Sequence, residues 1–280
     1  MKTIKYRLLN VFAETPFGGN PLAVIEDGST LSAEEMQAVA RQFNLSETTF
    51  LLPSDKAAAR VRIFTPAYEM PFAGHPTLGS AHVVRELRNA GSAFGLEMIA
   101  GVIPVTAQGD RWRLQANAPT HRPAEATNAQ LAAALGLPES AISGQPLWVS
   151  CGNEQLMVPL ASIEHVRAAK PNAELLSRHA VNADGRAKAY VFAATEAGFE
   201  ARFFWTPDGA GISEDPGTGS ACANLGGWWK ATRPSEHLDA ELSQGTAVGR
   251  PNMLSLKVDD AGTIFVGGRV IEIGRGELRW

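Results

Sequence analysis

The sequence predicts an α+β fold of two pseudo-symmetric domains, each a curved mixed sheet wrapped around one central helix. Two observations carry this. Short segments recur at about half the chain length, and the order of strand-like and helix-like segments recurs with them. Arg62-Ile63-Phe64 falls on Arg202-Phe203-Phe204 at an offset of 140. At that offset His75-Pro76-Thr77-Leu78-Gly79-Ser80-Ala81 falls on Asp215-Pro216-Gly217-Thr218-Gly219-Ser220-Ala221. Upstream, Gly19-Asn20 is echoed by Gly152-Asn153 at an offset near 133.

The elements follow in order. Residues 4–12 and 21–26 read as strands joined by the Pro/Gly loop Thr15-Pro16-Phe17-Gly18-Gly19-Asn20. Ser32-Ala33-Glu34-Glu35 has capping-box form and opens a helix to Phe43. Strands are predicted near 47–53 and 59–65. Pro76, at a position that favours proline, starts a helix to Arg88. Residues 93–99, 102–107 and 111–117 alternate as a meander. His121–Thr127 reads as a linker, which divides the chain into halves 1–122 and 123–280, the last strand pairing back onto the first half. Beyond it come helices near 127–135, 162–168, 172–180 and 216–230. Strands are predicted near 146–150, 155–160, 188–194, 201–206, 253–258, 263–270 and 272–279. Strands outnumber helices and hairpin-like pairs dominate, so the sheets should be mixed or antiparallel.

Composition narrows the partners. The 280 residues carry 25 Lys+Arg against 29 Asp+Glu, a net charge of −4, with 45% apolar residues. That is a globular composition without the basic stripe a nucleic acid requires. No run approaches the ~20 apolar residues of a membrane helix, and no signal-peptide pattern opens the chain. A cytoplasmic protein is expected. Cys151 and Cys222 are too few for a disulfide framework or a four-cysteine zinc site. The six histidines are scattered, so no metal site is predicted.

The best-matched part of the repeat is a turn entering a helix. His75 and Asp215 read as the N-cap residues of these helices, and first-turn amides attract carboxylate or phosphate. Asp is also a preferred cap with no other duty, whereas His is not, which makes His75 the more informative of the two. Glu47 is the only charge in Asn44–Pro53. At the edge of an apolar strand its carboxyl should be partly desolvated and tuned towards proton exchange, although an exposed strand-end glutamate would look the same. Gly219-Ser220-Ala221 is no nucleophile elbow, and Gly217–Cys222 completes neither a dinucleotide fingerprint nor a Walker loop.

Together these segments resemble the PhzF-like isomerase/epimerase family, which shares the diaminopimelate epimerase fold. The resemblance runs through Val11-Phe12, Phe17-Gly18-Gly19-Asn20-Pro21-Leu22-Ala23-Val24 and Asn44-Leu45-Ser46-Glu47-Thr48-Thr49-Phe50. It continues through Arg62–Pro66, Glu69–Gly79, Asp215–Ala221 and Gly249-Arg250-Pro251. It implies an active site in a cleft between the domains and a cofactor-independent isomerase that moves a proton between carbons of a small carboxylate. The type reaction is isomerisation of trans-2,3-dihydro-3-hydroxyanthranilate. Glu47 corresponds to the acid/base, His75, Asp215 and Ser220 to supporting groups. The carboxylate is expected at Gly219, Ser220, Thr218, Gly74 and Thr77, and a homodimer is expected. Diaminopimelate epimerase uses a cysteine at each helix start, and neither helix start here carries one, so two-thiol racemisation is not expected. Asn10 stands where many members carry Asp. An epimerase or racemase of a small amino or hydroxy acid, and a non-catalytic carboxylate-binding protein, are the alternative readings.

Overall fold

Parallel neighbours in a sheet need a long crossover, and antiparallel neighbours need only a turn. That rule places the helices. In the computed structural model, which describes residues 1–183, 185–207 and 211–280, the chain divides into two units. One is Met1–Gln115 with Gly267–Trp280, the other Ala116–Val266.

In the first unit β1 (Thr3–Val11) pairs antiparallel with β2 (Asn20–Ile25). Strand β2 is parallel to β3 (Thr48–Leu52), and α1 (Ala33–Phe43) is the crossover. Ser32 and Glu35 close the expected capping box of α1. Strand β3 is antiparallel to β4 (Ala59–Phe64). The far edge of β4 takes two partners. The short β5 (Glu69–Met70) pairs antiparallel with Ile63-Phe64, and β6 (Ala93–Met98) pairs parallel with Ala59-Arg60. The crossover to β6 is α2 (Gly74–Arg88). A meander of β7 (Gly101–Gln108) and β8 (Arg111–Gln115) follows.

The second unit begins with β9 (Thr120–Pro123), α3 (Asn128–Ala134) and β10 (Leu147–Ser150). Strands β9 and β10 pair antiparallel. The stretch expected as a linker is therefore partly a strand, and the first unit ends at Gln115 rather than Arg122. Strand β10 is antiparallel to β11 (Gln155–Pro159). After α4 (Ile163–Ala168) and α5 (Ala173–His179), β11 is parallel to β12 (Lys188–Ala194). Strand β12 is antiparallel to β13 (Gly198–Trp205). Like β4, β13 takes two partners on one edge: the short antiparallel β14 (Ser213–Asp215) and, beyond α6 (Gly219–Thr232), the parallel β15 (Leu238–Gln244). Strand β16 (Asn252–Val258) closes a hairpin with β15. The order of pairings from β10 to β16 repeats the order from β1 to β7.

Strand β17 (Ile264–Arg279) crosses the boundary at Val266, and its later part pairs antiparallel with all of β1. The sequence suggested two strands here. A bulge that leaves Ile273 without a partner on β1 keeps it one.

Helices α2 and α6 are buried through most of their length and meet solvent mainly in their last turns. In α2, every residue from His75 to Ala81 is buried. It packs against β1, β2, β3, β4 and β8, and α6 packs against β9, β10, β11 and β16. Gly79 permits that approach: a Cβ there would lie 2.4 Å from Leu22 Cδ2. By contrast α1 is amphipathic and covers Phe50 and Phe64 with Met36, Val39 and Ala40. Among the described residues no helix is long and apolar enough to cross a membrane.

Candidate active site

The two helix starts differ in frame from the sequence expectation. Ala73 is the N-cap of α2 and Thr218 the N-cap of α6. His75 is already the second helical residue, and Asp215 is still in β14, held there by pairing with Phe203. The register of the repeat explains this. Phe64 pairs with Glu69 and Phe204 with Glu214, so the true echo is Glu69-Met70-Pro71-Phe72-Ala73-Gly74-His75 against Glu214-Asp215-Pro216-Gly217-Thr218-Gly219-Ser220. The chain between Phe204 and Glu214 is five residues longer than that between Phe64 and Glu69. Beyond it the offset is 145, and Ser220, not Asp215, is the counterpart of His75. Each unit fastens its short strand with one device. Arg62 makes paired hydrogen bonds to Glu69 over the Phe64 ring, and Arg202 does so to Glu214 over Phe204.

In the first unit, Glu47 immediately precedes β3 and its side chain is 15% exposed. Its Oε2 faces His75 Nε2 at 3.4 Å. The His75 ring also bonds to the backbone of Pro21, which has only a carbonyl to offer, so the ring donates. Since Nε2 faces Glu47, the donor is Nδ1. Burial pushes the His75 pKa down to about 3. The ring is thus neutral, with its Nε2 lone pair turned towards the carboxyl. Gly74, half-buried at the first helical position, offers an amide without an intrahelical acceptor. Thr77 does not: it is fully buried, and both its amide and its hydroxyl go to the Ala73 carbonyl. The expected role of Thr77 at a ligand is therefore corrected to an internal one. Asn10 is buried and donates to the Pro16 carbonyl, tying down the loop before β2.

In the second unit, Asp215 accepts from the Thr218 hydroxyl at 2.6 Å and from the Gly217 amide at 3.3 Å. Gln244 donates to the Thr218 hydroxyl and to the Asp215 carbonyl, and accepts from the Thr218 amide and from Tyr190. The Thr218 hydroxyl is thereby committed to Asp215, not to a ligand as expected. Gly219 and Ser220 present first-turn amides. The Ser220 hydroxyl accepts from Gln155, whose other amide atom accepts from Asn224.

Gln155, Asn224, Gln244 and Tyr190 were not anticipated from the sequence. Gln155 and Gln244 are almost fully buried glutamines at strand ends, and a buried amide needs partners. Leu238–Gln244 alternates buried with exposed, a signal weakened by having few large apolar residues. Cys151 and Cys222 are both buried. Burial raises the Cys151 thiol to about 12 and lifts Cys222 further, so neither thiol is a ready base. Among the described residues no group of three or more His, Cys, Asp or Glu side chains is placed to hold a metal ion.

Comparisons agree with one another. Residues 9–271 match the model of the phenazine biosynthesis-like protein family. An uncharacterized isomerase of Pasteurella multocida is 39% identical, over 98% of this chain and 93% of its own. The trans-2,3-dihydro-3-hydroxyanthranilate isomerase of Pseudomonas aeruginosa is 34% identical, over 92% and 91%. The crystal structure of a PhzF-family phenazine biosynthesis protein of Bacillus anthracis superposes with a TM-score of 0.89 at 24% identity, covering all of both chains. The isomerase relatives leave a non-catalytic binding protein without support. The chain belongs to the PhzF-like family and is an isomerase.

Proposed function

We propose that the enzyme moves a proton between two carbons of a small unsaturated carboxylate, without a cofactor, in a reaction of the kind named for its Pseudomonas aeruginosa relative. Glu47 is the proton carrier. Its carboxylate takes a proton from a C–H bond, and the electron pair of that bond moves into the conjugated system. The resulting carboxylic acid returns the proton to a second carbon, and Glu47 is regenerated.

The contact between Glu47 and His75 carries this reading. Two candidate bases approach each other, and burial opposes protonation of one of them, His75. A His75 imidazolium is opposed by burial, whereas its neutral Nε2 can accept a hydrogen bond from protonated Glu47 and stabilise it. A 3.4 Å contact can shorten when substrate excludes water. His75 and the Gly74 amide in the first unit, and Asp215 with the Gly219 and Ser220 amides in the second, are the groups suited to a substrate hydroxyl, amine or carboxylate.

Incubation with trans-2,3-dihydro-3-hydroxyanthranilate in deuterated water tests this by NMR. Deuterium at a carbon other than the one that lost hydrogen supports a shift between carbons. Deuterium returned to the same carbon identifies an epimerase. Retention of exchange in Glu47→Gln rejects Glu47 as the carrier.

A further inference from the structure

We infer that Gln155 is a positioning residue that turns the Ser220 O–H hydrogen away from itself and leaves it to donate to the substrate, so that the substrate atom this hydrogen meets is an acceptor such as a carboxylate oxygen. The inference rests on the reading that Ser220 meets the substrate, and deepens it.

The direction of each bond follows from two backbone groups whose polarity is fixed. The Cys151 N–H can only donate, and it meets Asn224 Oδ1 at 2.8 Å. The Asn153 carbonyl can only accept, and it meets Asn224 Nδ2 at 2.8 Å. The orientation of the Asn224 amide is therefore settled without reference to any other side chain. Its second Nδ2 hydrogen goes to Gln155 Oε1 at 2.7 Å. That leaves Gln155 Nε2 facing Ser220 Oγ at 3.0 Å, as the donor. Asn224 and Gln155 are both fully buried, so water cannot restore a misplaced amide at low cost.

Ser220 thus spends a lone pair on Gln155, and its own O–H hydrogen has no acceptor among the described residues. The hydroxyl is half-buried at the second position of α6, where the neighbouring amides also favour negative charge. A donor so aimed rewards an anionic acceptor. The first unit uses the same position in the same way. Pro21, at the start of β2, fixes the proton on His75, just as Gln155, at the start of β11, fixes the direction of Ser220.

Binding of 3-hydroxyanthranilate, a stable aromatic relative of the substrate class, is measured by calorimetry from pH 6 to 9 in the wild type, Ser220→Ala, Gln155→Glu and Gln155→Met. Thermal melts verify folding. Ser220→Ala and Gln155→Met should each weaken binding by about tenfold, and the double variant no further. Gln155→Glu can donate to Ser220 only while its buried carboxyl is protonated. Its affinity relative to wild type should therefore fall as pH rises, a trend that a merely structural role would not produce. A neutron map of the deuterated wild-type protein should place both Gln155 amide deuterons on the atom facing Ser220, and the Ser220 deuteron away from Gln155. A Ser220 deuteron directed at Gln155, or a pH-independent Gln155→Glu with wild-type affinity, overturns the inference. Failure of the wild type to bind 3-hydroxyanthranilate at all counts against the proposed substrate class, and the neutron map still decides the direction of Ser220.

Discussion

His75 Nε2 lies 3.4 Å from Glu47 Oε2, and the ring's other nitrogen donates to the Pro21 carbonyl. Burial opposes a charged imidazole at His75, so the proposed proton carrier of this pair is Glu47. Glu47→Gln keeps the shape and removes the acid/base. It should lower turnover by 10²–10⁴-fold or more while leaving 3-hydroxyanthranilate binding within a few-fold, as measured by NMR exchange and calorimetry.

Acid stability provides a second check. His75 has a pKa near 3 when folded against 6.5 as a free side chain. Between those values the unfolded chain binds a proton that the folded chain does not, so stability falls as pH drops from about 6.5 towards 3. Urea denaturation at pH 7, 5.5 and 4 should show His75→Gln losing less stability over this range than wild type. A parallel loss in both would remove His75 from the account.

Thr218 serves Asp215 through its hydroxyl. Thr218→Val deletes that donor and also leaves Gln244 Nε2 facing a methyl group. The expected cost is about 1–3 kcal/mol in stability, with kcat/KM down by about tenfold. Thr218→Ser, which keeps the hydroxyl, should retain most activity.

The Arg202–Glu214 pair is largely buried, at 15% and 10% side-chain exposure. Arg202→Leu strands the carboxylate and should cost about 3–5 kcal/mol in urea unfolding. Arg202→Leu with Glu214→Leu should recover part of that loss. The matching pair Arg62–Glu69 is more exposed, at 20% and 23%, and its single variants should cost less.

Gly79 lies where α2 touches β2. Gly79→Ala forces its new methyl against Leu22 and should destabilise by about 1–3 kcal/mol, measured as a lowered Tm.

Local signals were legible where they were self-contained. The capping box at Ser32 and Glu35, Pro76 in the first turn of α2, and the alternation of β7 and β8 depend on neighbours a few residues away. The short strands β5 and β14 were not legible, because two or three residues become a strand only by pairing with β4 and β13. Missing them displaced the repeat by five residues and matched His75 with Asp215 instead of Ser220.

By itself, then, the sequence determined the α+β class, most element positions, the family and the candidates Glu47, His75, Asp215 and Ser220, since these rest on residue order and short-range periodicity. Only the tertiary structure decided which nitrogen of His75 faces Glu47, that Thr77 and Thr218 are spent internally, and that Gln155 and Asn224 orient Ser220. Hydrogen-bond direction is set by fixed donors and acceptors that lie far apart in the chain, such as Cys151 and Asn224, and no spacing along the sequence encodes it.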